Sequence, residues 1–170
     1  ASRLQCTTLP GRVAGSDLLS SLSASAARMG KTLFLLGGDP GTAHASAEVL
    51  RKRYPGVKIA GTSCPPVGFE SDPRQMKDLA AAGTACKPDI VFVALGSPKQ
   101  ERLIARLRDR LPGTWWLGVG ISFSFLCGNV KRAPYWMRVM GLEWAHRLFQ
   151  EPIRLFRRYL LQGVPFAMKL

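Results

Sequence analysis

Short uninterrupted apolar runs alternate with longer stretches of helical period from Ser16 to Gly120. Leu18, Leu19, Leu22 and Ala26 recur every three or four positions, which predicts a helix over Ser16–Arg28 with Ser16 as N-cap and Gly30 as its stop. Thr32–Leu36 reads as a buried strand running into Gly37 and Gly38, and Thr42–Arg53 as a helix with Ala43, Ala47 and Leu50 inward. Val57–Ala60 is a second strand and Cys64–Gly68 a loop. Asp72 opens a helix to about Ala85, and Asp89–Leu95 is the third strand. Pro98–Leu111 is a helix with proline in its first turn, and Trp115–Val119 is the fourth strand. After Gly120 only helical patterning remains, broken at Gly128, Pro134, Gly141 and Pro152.

Strands alternating with helices of this length predict βαβ units and an α/β fold with a parallel sheet. The strands are continuous apolar runs, as expected where helices cover both faces of the sheet. At 170 residues the chain is long enough to bury a substantial core, and its 46% hydrophobic content fits a globular protein. No apolar run reaches the roughly 18 residues that a spanning helix needs, and no signal-peptide pattern opens the sequence.

Charge changes the picture. The formal net charge is +13, so the surface is built to meet an anion: nucleic acid, lipid headgroups or phosphorylated small molecules. The excess is concentrated late, where Lys131–Leu170 holds eight Lys/Arg against Glu143 and Glu151. These cations alternate with Trp, Leu, Phe and Tyr, giving an amphipathic surface rather than a uniformly solvated one. The four cysteines form no CxxC pair and the two histidines are far apart, so neither a zinc site, another metal centre nor a Cys–His nucleophile is expected.

Three segments carry candidate chemistry. Gly37-Gly-Asp-Pro-Gly41 joins a strand to a helix, where Gly37 and Gly38 let backbone approach a phosphate and the helix start attracts negative charge. It is not GxGxxG, and a plain tight turn fits it equally well. Gly96-Ser-Pro-Lys-Gln-Glu101 follows the third strand at the sheet end where α/β proteins bind ligands. Gly96 allows close approach, Ser97 suits a helix cap, Pro98 opens the helix, and Gln100 brings a donor and an acceptor suited to a sugar or base. Glu101 also suits the helix dipole. Gly118-Val-Gly120 ends the fourth strand, and its glycines are expected to line the same crevice. In the tail, Arg147, Arg154 and Arg157 share one face if the helical path continues through Pro152, an arrangement that suits a diphosphate or an anionic lipid surface.

Taken together, Arg12-Val-Ala-Gly-Ser-Asp17, Leu35-Leu-Gly-Gly38, Gly96-Ser-Pro-Lys-Gln-Glu101, Gly118-Val-Gly120, Arg132-Ala-Pro-Tyr-Trp-Met137, Gly141-Leu-Glu-Trp-Ala-His-Arg147 and Glu151-Pro-Ile-Arg-Leu-Phe-Arg-Arg-Tyr159 resemble the WecG/TagA/CpsF glycosyltransferases. The resemblance runs from about Arg12 to the C-terminus and implies a Rossmann-like α/β domain over 1–130 with a basic helical appendage over 131–170. It implies inverting, metal-independent transfer of a sugar from a nucleoside-diphosphate donor of the UDP-sugar type to a polyprenyl-diphosphate-linked saccharide. The implied setting is cell-surface polysaccharide synthesis, peripheral at the cytoplasmic face of a bacterial plasma membrane, with no cofactor and no nucleic acid. Gln100 is implied as an active-site residue, Gly37, Gly38, Gly96, Ser97, Pro98 and Gly120 are expected to line the substrate cleft, and Arg147, Arg154 and Arg157 are implied to engage diphosphates.

Two departures qualify the resemblance. The family's usual segment ahead of the Arg-x-x-Gly-x-Asp motif carries an Asp-Gly pair with the aspartate read as general base. It has no counterpart before Arg12, and the expectation is a piece of a longer protein. Asp17, Asp39 and Glu101 are the carboxylates placed to substitute. The family also often reads Phe-Asp-Phe where this chain has Phe123-Ser-Phe125, so Ser124 brings no carboxylate. The competing reading is a non-catalytic basic module that binds an anionic membrane or nucleic acid, although no stacking platform or nucleic-acid fold signature accompanies the charge.

Overall fold

The computed structural model describes residues 13–140 and 142–150. The chain divides into two compact units, one up to Asn129 and one from Val130.

In the first unit, α1 (Gly15–Met29) precedes β1 (Thr32–Gly37), α2 (Thr42–Arg53), β2 (Lys58–Ser63), α3 (Pro73–Cys86), β3 (Ile90–Ala94), α4 (Lys99–Leu107), β4 (Trp115–Gly118) and the short α5 (Ser122–Leu126). The four strands form one parallel sheet in the order β2-β1-β3-β4. The expected α/β architecture, a Rossmann-like parallel sheet flanked by helices, is therefore present.

Alternation along the central strands explains why both faces are covered. Leu33, Leu35, Ile90 and Phe92 join a core with Leu19 and Ala26 of α1, Ala43, Ala47 and Leu50 of α2, and Phe123 of α5. Their neighbours Phe34, Leu36, Val91 and Val93 point the other way, to Leu79 and Ala80 of α3 and Leu103 and Leu107 of α4. Each central strand buries side chains on both faces, which is why it reads as a solid apolar run rather than an alternating one.

Several boundaries differ from the sequence expectation for identifiable reasons. Ser16 is not the cap of α1: Ala14 holds that position without a side-chain bond, and Gly30 closes the helix in the left-handed region as expected. β2 begins and ends later than expected because Gly61, Thr62 and Ser63 pair with Phe34, Leu35 and Leu36, so ladder bonding extends the strand beyond its apolar residues. Asp72 does cap α3, accepting from the backbone N–H groups of Arg74 and Gln75. α4 gives way after Leu107 to a 3-10 turn over Arg108–Arg110. The residues after Gly120 turn directly into α5, which buries Phe123 completely and leaves Phe125 only half-buried.

The second unit contains α6 (Tyr135–Val139) and α7 (Glu143–Gln150). Within it, the Arg132 guanidinium pairs with Glu143 at 3.5 Å, and Gln150 Nε2 donates to the Lys131 carbonyl at 2.9 Å. Tyr135, Trp136, Met140 and Phe149 are exposed. Among the described residues no helix is long and apolar enough to cross a membrane.

Candidate functional site

The strand order creates one distinctive place. From β1 the chain moves outward through α2 to β2, while from β3 it moves the opposite way through α4 to β4. The core memberships put α2 and α4 on opposite faces. The loops leaving β1 and β3 therefore part at the carboxyl end of the sheet, where Gly37 pairs with Ala94, and parting loops of this kind open a ligand crevice in α/β proteins.

Six of the residues singled out from sequence as cleft-lining, together with Gln100, lie at this end. Gly37 ends β1 and Gly38 follows it; Gly96, Ser97, Pro98 and Gln100 follow β3; Gly120 follows β4. α1 also starts here, since its Gly15 backs onto Val119, where an added Cβ would stand 3.2 Å from the carbonyl oxygen. Asp17 thus belongs to a helical turn at the same end of the sheet.

The loop after β1 is shaped by what surrounds Gly38. This residue has φ +84°, and a Cβ there would stand 2.3 Å from Thr42 Oγ1 and 3.2 Å from the Phe123 ring. Its N–H donates to the Ala94 carbonyl at 2.7 Å, which ties the β1 and β3 exits together. Thr42 closes the start of α2 by donating from both its N–H and its hydroxyl to the Asp39 carbonyl, at 2.9 and 2.7 Å. The Asp39 carboxylate accepts from the Ser124 hydroxyl at 3.2 Å, so the loop is also pinned to α5. Ser124 is buried and Asp39 exposed.

The loop after β3 is organised differently. Ser97 does not cap α4; Pro98 occupies that position, with no side-chain capping bond. The Gln100 N–H donates to the Gly96 carbonyl at 3.0 Å, closing the turn. The Gln100 side chain is 8% exposed and spans to β4. Its Oε1 accepts from the Gly120 N–H at 3.1 Å, and its Nε2 donates to Glu101 Oε1 at 2.9 Å.

The fold gives several of these groups partners of its own. The Gly38 N–H donates to the Ala94 carbonyl and the Gly120 N–H to Gln100 Oε1. Gln100, whose amide suits a sugar or base, has its carbonyl oxygen on Gly120 and its amide nitrogen on Glu101.

Sequence reading missed the segment after β2. The exposed Cys64 thiol donates to the Gly38 carbonyl at 3.3 Å, and Glu70 accepts an ion pair from Lys99 at 3.4 Å. Arg106 of α4 adds a bond to the Glu70 carbonyl at 3.2 Å. This connection therefore touches both cleft loops and carries Val67, which is 99% exposed. No periodicity marks such links, because they join loops far apart in sequence; the one visible signal was Ser124 standing where the resemblance leads one to expect aspartate.

Arg147 belongs to α7, but its side chain lies outside the described residues, as do Arg154 and Arg157 entirely.

A parallel α/β sheet whose switch point is walled by glycine loops is a nucleotide-binding type of scaffold, and comparison with known proteins defines its class. The chain belongs to the glycosyl transferase WecG/TagA/CpsF family, whose family model matches residues 1–170. It is 40% identical over 159 residues to an N-acetylglucosaminyldiphosphoundecaprenol N-acetyl-beta-D-mannosaminyltransferase of Bacillus spizizenii strain W23, covering 94% of this chain and 59% of the relative. It is 39% identical over 154 residues to the protein of the same name from Bacillus subtilis strain 168, covering 90% of this chain and 57% of that relative. The chain thus spans a little under three fifths of the length of these curated relatives.

Proposed function

We propose that this chain forms the donor-binding part of an inverting, metal-independent glycosyltransferase. It takes a sugar from a nucleoside diphosphate of the UDP type and passes it to a polyprenyl-diphosphate-linked saccharide during cell-surface polysaccharide synthesis. The relatives' names point to N-acetylmannosamine as the donated sugar class and to a diphosphate-linked N-acetylglucosamine as the acceptor. A β-linked product formed from an α-linked nucleotide sugar requires displacement with inversion. An acceptor hydroxyl loses its proton to a base and attacks the anomeric carbon, and the nucleoside diphosphate leaves from the opposite face with the bonding electrons.

The observation that carries this reading is the gathering of the β1, β3 and β4 exit loops at the switch point of a family-matched parallel sheet. Gly96, where an added Cβ would meet nothing within 4 Å, keeps the β3 exit low enough for a diphosphate to lie close to backbone, while Gly38 lets the β1 exit pack against Thr42 and Phe123. The Asp39–Ser124 pair offers a carboxylate beside that surface, suited to the hydroxyls of a nucleoside or sugar rather than to phosphate. The leaving diphosphate's charge calls for cationic side chains, and the basic segment from Lys131, including Arg147, Arg154 and Arg157, is proposed to supply them as the acceptor- and membrane-facing appendage. The protein would then act peripherally at the cytoplasmic membrane face, where its lipid-linked acceptor resides.

Thermal denaturation with added ligand tests the reading. UDP at about one hundred times its Kd adds about 2.7 kcal/mol to the stability of a specific binder, several degrees for a chain of this size. UDP is expected to exceed inorganic pyrophosphate at equal concentration. Equal shifts from the two, or stabilisation by RNA or anionic vesicles alone, would favour the non-catalytic basic module instead.

A further inference from the structure

Gln100 has an unusual environment for a polar side chain at a ligand cleft. It is nine-tenths buried, its carbonyl oxygen is taken by the Gly120 N–H, and its amide nitrogen is directed at Glu101. Gly118 explains how it gets there. An added Cβ on Gly118 would stand 2.6 Å from Gln100 Nε2 and 2.8 Å from Cδ, so the amide crosses β4 only because that residue has no side chain. Gly120, at φ +56°, then turns its N–H back onto the same amide. Two glycines and one glutamine, about twenty residues apart in sequence, form a single clasp between the β3 and β4 exits.

We infer that Gln100 is a positioning residue: its amide, anchored on Glu101, sets the backbone of the β4–α5 turn at the cleft, and it acts on the donor through that turn rather than by touching it. The inference rests on reading this cleft as the donor site and assigns Gln100 a different job from a substrate contact.

The chemistry of the clasp allows it to be inverted. Position 100 must accept from Gly120, and positions 100 and 101 must share one N–H donor between them. In Gln100→Glu the carboxylate still accepts from Gly120 but meets Glu101 with like charge and no donor. In Glu101→Gln the Gln100 amide keeps a carbonyl oxygen to donate to. In the double variant Gln100→Glu/Glu101→Gln, the acceptor at 100 is retained and the donor now comes from 101, so the clasp is rebuilt with its polarity reversed.

UDP affinity by calorimetry, with exchange of the Gly120 amide proton read by NMR on the same samples, tests this. Gln100→Glu is expected to weaken UDP binding at least tenfold and to speed Gly120 exchange by a similar factor. The double variant is expected to recover UDP affinity and exchange protection to within about threefold of the wild type, and Glu101→Gln alone to stay close to the wild type in exchange. Recovery of Gly120 protection without recovery of UDP affinity would show that Gln100 contacts the ligand directly and would overturn the inference. So would a Gly120 exchange rate that Gln100→Glu leaves unchanged. Failure of the wild-type chain to bind UDP at all would count against the donor-site reading instead, while the Gly120 exchange data would still decide whether the clasp exists.

Discussion

The two ends of the same four-stranded sheet are finished in opposite ways. At the amino end the chain closes on itself with charged and hydroxyl side chains. Asp89, just ahead of β3, accepts from the Thr32 N–H at 2.8 Å, the Thr32 hydroxyl at 2.9 Å and the Lys31 ammonium at 2.8 Å. Thr114 adds a bond to the Pro88 carbonyl at 2.7 Å, and the Trp115 N–H donates to the Asp89 carbonyl at 2.8 Å. At the carboxyl end the exits of β1, β3 and β4 carry glycines, joined by backbone bonds and the Gln100 clasp, and braced from the flanks by Asp39 with Ser124 and Lys99 with Glu70. The first end uses its polar side chains to hold strands in register. The second leaves open backbone at Gly96 and Gly120, where an added Cβ would meet nothing within 4 Å, the condition a ligand needs to approach backbone.

This contrast predicts separable effects. The largest is expected from Gly38→Ala. Its Cβ would run into Thr42 Oγ1 from a backbone at φ +84°, so the loop must shift at a cost of about 1–3 kcal/mol. Stability by denaturant midpoint should fall by that amount and UDP affinity should fall with it, at least tenfold. A variant that loses stability yet binds UDP normally would break the link between loop shape and the donor site.

A smaller and purely structural effect is expected from Asp89→Asn. The Lys31 ammonium first, and then the Thr32 donors, pull the Asp89 carboxyl from 3.8 to about 2. A carboxyl whose pKa is lower in the folded state adds stability that is complete above its ordinary value and disappears as pH falls through the folded one. The stability gap between wild type and Asp89→Asn should therefore be constant near neutrality and shrink between about pH 4 and pH 2. The side chain is 35% exposed, so the gap is modest and weakens with salt. UDP affinity should not change; a loss would mean that the two ends of the sheet are not independent.

How much of this was legible in the sequence follows from the range of the interactions. α2 was readable to the residue, because Ala43, Ala47 and Leu50 repeat with helical period between a glycine turn and a basic final turn. β1 and β3 were readable because residues buried on both faces give solid apolar runs. Only the first half of β2 was, because the other half is Gly61-Thr-Ser63, held by pairing to β1 and by the Phe34 ring, whose edge lies where a Gly61 Cβ would stand 2.7 Å away. The glycines and Gln100 could be placed at one end of the sheet from motif positions alone. Their division of labour could not, since whether an amide faces a ligand or a neighbouring loop depends on partners such as Gly120, Ala94 and Ser124 that only the fold brings near. The arginines implied as diphosphate contacts, Arg154 and Arg157, fall outside the described residues, and their role remains part of the proposal.

The central claim is that the nucleotide occupies the carboxyl end of this sheet, and amide chemical shifts read it directly. Titrating UDP into uniformly 15N-labelled protein should move the amides of Gly37, Gly38, Gly96 and Gly120 while those of Thr32, Asp89 and Trp115 stay fixed. Saturable shifts at the amino-end amides with the glycine amides unmoved would contradict the account.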